Sequence, residues 1–329
     1  MKKIHLINTG GTFSSTRGAN GLTPSIHGDS VLGLLGEFKE EADLSVEDFC
    51  SLDSANITPD DWAALARRIA SLIPQYDGFV VIHGTDTMAY TASMLSFMLQ
   101  NIPVPVVMTG SQMPLYVPMT DALGNLTCAI WMALTGTPGI YLAFDRKILR
   151  GCRASKVRTV SFCAFESINY PLVGEVNALG LQVNVPKRST RGKVMLQTDY
   201  SSKIAVLKLF PGMDPEIFSH LMDKGYEGVY VEGFGLGGVP FLKNDFTSEI
   251  EKASQAGLPI LVGSQCRYEG SNLNIYETGQ RILDCGGIPV HDMTQEAIVT
   301  KLMWCLGQTK KREMIQWLFG TNLVDEVTL

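Results

Sequence analysis

The sequence predicts an α/β fold with a larger N-terminal parallel-sheet domain and a smaller C-terminal α/β domain. Three observations lead there. Apolar runs of strand length alternate with helical patterns through most of the chain, which calls for a parallel sheet covered on both faces. The runs KIHLINTGGT (3–12), GFVVIHG (78–84) and PVPVVMTGSQ (103–112) are nearly continuous in apolar residues, as strands buried on both faces are. Each of these runs closes in glycine followed at once, or nearly so, by a hydroxyl residue, and the carboxyl ends of such strands are where open α/β sheets bind ligands.

Taken in order, the first strand gives way at 13–28 to FSSTRGANGLTPSIHG, read as a long loop of the kind that serves as a lid or binding loop. Residues 45–56 begin with strand-like alternation and end in Asp53, Ser54 and Asn56. A helix follows, with Thr58 as cap, Pro59 at its first position and Asp60 and Asp61 in its first turn. Behind the second strand, Met88, Thr91, Ala92, Leu95 and Met98 recur at helical spacing. A helix near 121–135 and the strand GIYLAFD (139–145) complete the regular part. The rhythm is lost over 146–202, and the loop-rich stretch PKRSTRGK has the composition of a linker. We therefore divide the chain into 1–186, a linker at 187–202, and 203–329. In the last part strands at 203–210, 228–233 and 258–265 alternate with helices at 215–224 and 247–256, closed by Gly225 and Gly257. Two helices follow near 294–306 and 309–319. Gly233, Gly235 and Gly238 satisfy G-x-G-x-x-G after a strand, but Pro240 follows and no helix begins there, so the motif reads as a tight loop.

A net charge of -6 opposes nucleic acid as the main partner. Seven scattered cysteines without a CxxC pair fit neither a zinc site nor a disulfide framework, and point to a reducing, cytoplasmic location. Lys2 and Lys3 lead straight into a short strand, which does not resemble a signal peptide, and no apolar run is long enough to span a membrane.

If the three strands are parallel neighbours, Thr12, Thr85 and Ser111 converge on one crevice, with Asp86 beside them. The plainer reading makes Asp86 or Thr87 a helix cap, and His83 a satisfied structural residue. Threonine is a poor nucleophile until a base takes its proton. With no Ser-His-Asp arrangement apparent, a lysine is the remaining candidate base. Lys156 lies outside any regular pattern, and its spacing alone does not lift it above a solvated surface lysine.

NTGGTF with HGTDTMAYTA, followed by TGSQMP and RASK, resembles the bacterial-type L-asparaginase family, in particular its cytoplasmic type I branch. The likeness extends through DSANITPDDW, LFPG, GFGLGG, SQC (264–266) and DMTQEA (292–297). It implies hydrolysis of L-asparagine to L-aspartate and ammonia, without metal or cofactor, in a homodimer or homotetramer. It places the nucleophile on Thr12 and a second triad on Thr85, Asp86 and Lys156. It places Asp53 against the substrate α-ammonium and Ser54 against the α-carboxylate, with oxyanion donors from the backbone near Gly11 and Thr85. Because a close Asp86 would favour charged Lys156, a proton relay through Thr85 is expected. Leu22 stands where many relatives carry a loop tyrosine, so Ser14 and Ser15, or Tyr276 from a neighbouring subunit, are expected to orient Thr12. Tyr276 as a packed aromatic is an equal alternative. Glu232 stands where some relatives use an arginine for an effector carboxylate, although Cys266 matches, so simple hyperbolic kinetics are expected. The rivals are a catalytically silent amino-acid-binding protein and the amidohydrolase component of a tRNA amidotransferase. The latter needs an additional N-terminal domain, for which a nucleophile at residue 12 leaves no room.

Overall fold

The computed structural model describes residues 1–18, 21–24, 27–184 and 193–329, with 17, 18 and 21–24 described by their backbone. By internal contacts the chain divides into Met1–Gln197 and Thr198–Leu329. The first unit holds β1 (Lys2–Gly10), β2 (Ser15–Gly18), β3 (Gly21–Pro24), α1 (Gly28–Leu32), β4 (Ala42–Leu52), α2 (Pro59–Leu72), β5 (Gly78–Ile82), α3 (Met88–Met98) and β6 (Leu99–Gln100). It continues with β7 (Pro105–Thr109), α4 (Ala122–Leu134), β8 (Gly139–Phe144), β9 (Lys147–Arg150), β10 (Ala154–Lys156), β11 (Phe165–Ser167), β12 (Gly174–Asn177), β13 (Gly180–Val183) and β14 (Met195–Leu196).

Its main sheet has the order β13-β12-β9-β8-β7-β5-β1-β4. The pairs among β4, β1, β5, β7 and β8 are parallel, so the three glycine-terminated runs are neighbours. β5 and β7 are buried along their whole length, which is why they read as unbroken apolar sequence. α2 starts as its sequence predicts: Thr58 and Asp61 form a capping box, with Pro59 in the first turn.

Two stretches differ from expectation. The supposed loop at 13–28 contains the antiparallel hairpin β2–β3. The supposed irregular region after 146 extends the sheet with β9, β12 and β13, which pair antiparallel. β8 turns into β9 through Asp145 and Arg146, both at positive φ (49° and 62°). This is turn geometry normally signalled by glycine or asparagine, so the sequence conceals the hairpin. β14 lies within the span read as a linker and pairs with β6; residues 187–192 of that span lie outside the described residues.

The second unit has β15 (Ile204–Lys208), α5 (Ile217–Asp223), β16 (Gly228–Gly233), α6 (Phe246–Gln255), β17 (Ile260–Ser264), α7 (Glu277–Asp284), β18 (Ile288–Pro289), α8 (Gln295–Gln308) and α9 (Arg312–Phe319). Its sheet β15-β16-β17-β18 is parallel. α7 and β18 have no counterpart in the sequence-based expectation; the strand is two residues long and contains Pro289. The 233–238 stretch is the expected tight loop, with Phe234 and Gly238 exchanging backbone bonds of 2.8 Å. Among the described residues no helix is long and apolar enough to cross a membrane.

The first unit's strand ends meet through backbone. Gly11 has φ +75°, and a Cβ there would fall on the Cα and N of Gly84, while a Cβ on Gly84 would lie 2.6 Å from Ser54 Oγ. Gly11→Ala is therefore expected to lower the unfolding free energy by more than the ~1 kcal/mol of a left-handed alanine. Gly36→Ala, at an unstrained position with no atom within 4 Å, is expected to leave it unchanged. Urea unfolding of both variants checks this, and an equal effect of the two would contradict it.

Candidate active site

A cavity of about 220 Å³ opens at the carboxyl edge of the first unit's sheet, lined among others by Thr12, Asp53, Thr85, Asp86, Gln112 and Lys156. Gly11 and Ser54 also line it. These groups come from the ends of β1, β4, β5, β7 and β10, which explains why residues spread over some 145 positions of sequence converge.

Thr12 opens a 3-10 turn, Thr12–Ser14, directly after Gly11. Its hydroxyl makes no hydrogen bond among the described residues. Ser14 Oγ donates to Asn8 Oδ1 (2.9 Å) and Ser15 Oγ to the Gly11 carbonyl (2.8 Å). Ser14 and Ser15 thus brace the backbone on either side of Thr12 and do not hold its hydroxyl. The side chain of Leu22 lies outside the described residues.

Lys156, at the end of β10, reaches across with Nζ 2.8 Å from Thr85 Oγ1 and 2.6 Å from Asp86 Oδ1. The Thr85 hydroxyl is buried, the Lys156 side chain is 16% exposed, and the Asp86 side chain stands at the rim, 65% exposed. The capping alternative for this turn does not hold: Thr87 is the N-cap of α3 without a side-chain capping bond, and its hydroxyl donates to the Ser54 carbonyl (2.8 Å). Asp53 accepts Ala55 N–H through Oδ1 (2.9 Å), which leaves Oδ2 for a ligand. Backbone N–H of Gly11 donates to Leu52 O (2.8 Å) and is not itself an available donor.

Ser111 does not line the cavity. Its hydroxyl donates to Met113 O (2.5 Å), and the next residue, Gln112, takes the place expected for it. Gln112 stood in the TGSQMP run but carried no separate signal there. Tyr276 precedes α7 in the second unit and is 63% exposed, so it is not the packed aromatic of the alternative reading. Glu232 is buried at the end of β16 with Lys208 Nζ at 3.7 Å, and burial raises its carboxyl above the ordinary carboxylate range.

His83 is buried beneath the site. Its Nδ1 lies 2.7 Å from the Gly84 carbonyl, which can only accept, so Nδ1 carries the proton. Nε2 then accepts from Thr91 Oγ1 (2.9 Å), which itself accepts from Trp62 Nε1 (2.8 Å). The chain Trp62–Thr91–His83 fixes Gly84 and absorbs the ring's polarity, as the structural reading of His83 expected. Among the described residues no group of three or more His, Cys, Asp or Glu is placed to hold a metal ion.

The family model described as asparaginase, N-terminal, matches residues 3–190, and the glutaminase/asparaginase C-terminal domain matches residues 203–319. An L-asparaginase of Thermococcus kodakarensis is 38% identical over 99% of this chain and 99% of its own length. L-asparaginase 1 of Escherichia coli is 34% identical over 99% of this chain and 98% of its own. A component of the glutamyl-tRNA(Gln) amidotransferase of Pyrococcus abyssi is also 34% identical, over the whole chain but 77% of that protein. The solved structure of the thermostable L-asparaginase from Thermococcus kodakarensis superposes with a TM-score of 0.94 over 99% of both chains, at 38% identity.

Burial lowers the His83 imidazole from its ordinary 6.5 to about 4. The unfolded chain therefore binds a proton at His83 below about pH 6.5 that the folded chain refuses until about pH 4. The stability present above pH 6.5 is lost across that window, by about 3 kcal/mol. The native chain should lose this much more than His83→Gln between pH 7 and pH 4 in urea unfolding; equal losses would contradict the assignment.

Proposed function

Because the chain belongs to the asparaginase family, matching its N-terminal and C-terminal domain models in turn, we propose that it hydrolyses L-asparagine to L-aspartate and ammonia through an ester on Thr12. The observation that carries this reading is the pair of contacts from Lys156 Nζ to Thr85 Oγ1 and Asp86 Oδ1 (2.8 and 2.6 Å) on the wall of a cavity also lined by Thr12, whose hydroxyl makes no hydrogen bond among the described residues.

Thr12 Oγ1 attacks the side-chain amide carbon, and its proton is relayed through Thr85 toward the departing nitrogen, which leaves as ammonia when the C–N bond breaks. A water then adds to the Thr12 ester. Its proton returns to Thr12, and aspartate is released. Lys156, donating to both Thr85 and Asp86, keeps Thr85 in place and compensates charge as the proton moves. Asp53, with Oδ2 open, faces the α-ammonium, and Ser54 the α-carboxylate. Since Gly11 N–H is engaged by Leu52 O, the oxyanion donors are assigned to the backbone N–H groups of Thr12 and Thr85, where one such donor is typically worth ~3 kcal/mol. No step calls for a metal or cofactor. Assembly as a homodimer or homotetramer, with Tyr276 of one protomer approaching the site of another, and a cytoplasmic location belong to the same proposal.

The 34% identity to an amidotransferase component favours a second reading, in which the ammonia is passed on to a glutamyl-tRNA. The net charge of -6 weighs against a tRNA surface. Free ammonia from asparagine, without tRNA, separates the two.

Thr12→Val and Lys156→Met are each expected to reduce ammonia release at least ~1000-fold, with asparagine binding by calorimetry within a few-fold of native. Activity retained in either variant would refute the role given to that residue.

A further inference from the structure

We propose that Gln112 is a positioning residue for this reaction: its side-chain carbonyl holds the Thr85 hydroxyl proton, so that a lone pair of Thr85 Oγ1 faces the cavity. The inference rests on the hydrolase reading above and adds to it a residue that acts through Thr85.

Gln112 is fixed at both ends. Its backbone N–H donates to Asp121 Oδ2 (3.0 Å), and that of Met113 to Asp121 Oδ1 (3.1 Å). Asn125 Nδ2 donates to Asp121 Oδ2 (2.9 Å) and to Gly110 O (3.0 Å), while Asn125 Oδ1 accepts Asp145 N–H (2.9 Å). The start of α4 and the turn after β8 therefore clamp the loop that carries Gln112.

The side chain is oriented just as firmly. Nε2 donates to the carbonyls of Thr159 and Ser161, both at 3.1 Å. Carbonyls only accept, so the amide nitrogen belongs on that side, and Oε1 is left on the side of Thr85, 3.3 Å from its hydroxyl. The same side chain ties the loop after β7 to the segment that follows Lys156.

Thr85 Oγ1 has one proton and two lone pairs. Lys156 Nζ donates into one lone pair at 2.8 Å, and the proton points to Gln112 Oε1. The remaining lone pair is then directed at the cavity, where Thr12 or a water can donate into it. At 3.3 Å the hydroxyl contact is longer than an ordinary O–H···O bond, so the proton is held without being trapped. A Thr85 proton swung into the cavity would instead meet the proton of the nucleophile.

Two variants separate this role from simple bracing of the loops. Gln112→Met removes both the acceptor and the two donors, while Gln112→Glu keeps an acceptor toward Thr85 and loses the donors. Ammonia release from L-asparagine is measured over substrate concentration, with melting temperatures alongside. The expected result is a kcat about 10- to 100-fold lower in Gln112→Met with KM within about threefold of native, and a kcat in Gln112→Glu within about tenfold of native and above that of Gln112→Met. Should Gln112→Met not fold, Gln112→Ala takes its place in the comparison with Gln112→Glu under the same criteria. Equal losses of kcat in both variants, a change confined to KM, or unchanged kinetics in Gln112→Met would overturn the proposal. A native chain that releases no ammonia would defeat the hydrolase reading itself, whereas an active native chain with an unimpaired Gln112→Met defeats this inference alone.

Discussion

The backbone contact between Gly11 and Gly84 is the constraint from which the rest of the site follows. A Cβ on Gly11 would occupy the Gly84 backbone, and a Cβ on Gly84 would press on Ser54, so the ends of β1, β4 and β5 close on one another only because two side chains are absent. Thr12 and Thr85 each follow one of these glycines. Strands in a sheet lie about 4.8 Å apart, so hydroxyls placed two and three residues beyond the adjacent ends of β1 and β5 share a crevice without a long loop having to carry either inward. The supports lie beneath: Asn8, Ser14 and Ser15 hold the chain around Gly11, and the buried Trp62–Thr91–His83 chain holds Gly84.

The charged part of the site is delivered separately. Lys156 arrives on the short antiparallel pair β10–β11, outside the parallel sheet, and meets Asp86 at the rim. An ion pair with so exposed a carboxylate adds little to stability. Its consequence is geometric: it fixes the ammonium where one of its protons also reaches Thr85. The scaffold that sets the hydroxyls is therefore buried in the sheet, and the group that steers the proton enters from a separate strand pair, which packs on the sheet through Phe165 against Phe144.

Much of this was legible in the sequence, for identifiable reasons. Strands buried on both faces leave unbroken apolar runs, and their ends were marked by glycine and hydroxyl residues, so β1, β5 and β7 and the meeting of Thr12 with Thr85 could be read directly. Lys156 could not: its position depends on β10 and β11, of three residues each, and no periodicity spans so short a pair. The resemblance, not the spacing, singled it out. Ser111 stood out as the hydroxyl residue directly after the glycine that closes the third apolar run, yet the turn after β7 directs Ser111 back to Met113 O. The β8–β9 hairpin was concealed by its turn at Asp145 and Arg146, where a left-handed backbone is uncommon for any residue but glycine.

The central claim is that Thr12 becomes esterified by the substrate. Rapid acid quenching of the enzyme during turnover of L-asparagine, followed by peptide mass spectrometry, tests it most directly. The account predicts an aspartyl ester on the peptide containing Thr12, absent in Thr12→Val. An ester found on Thr85 or another residue, or turnover that persists in Thr12→Val, would contradict it.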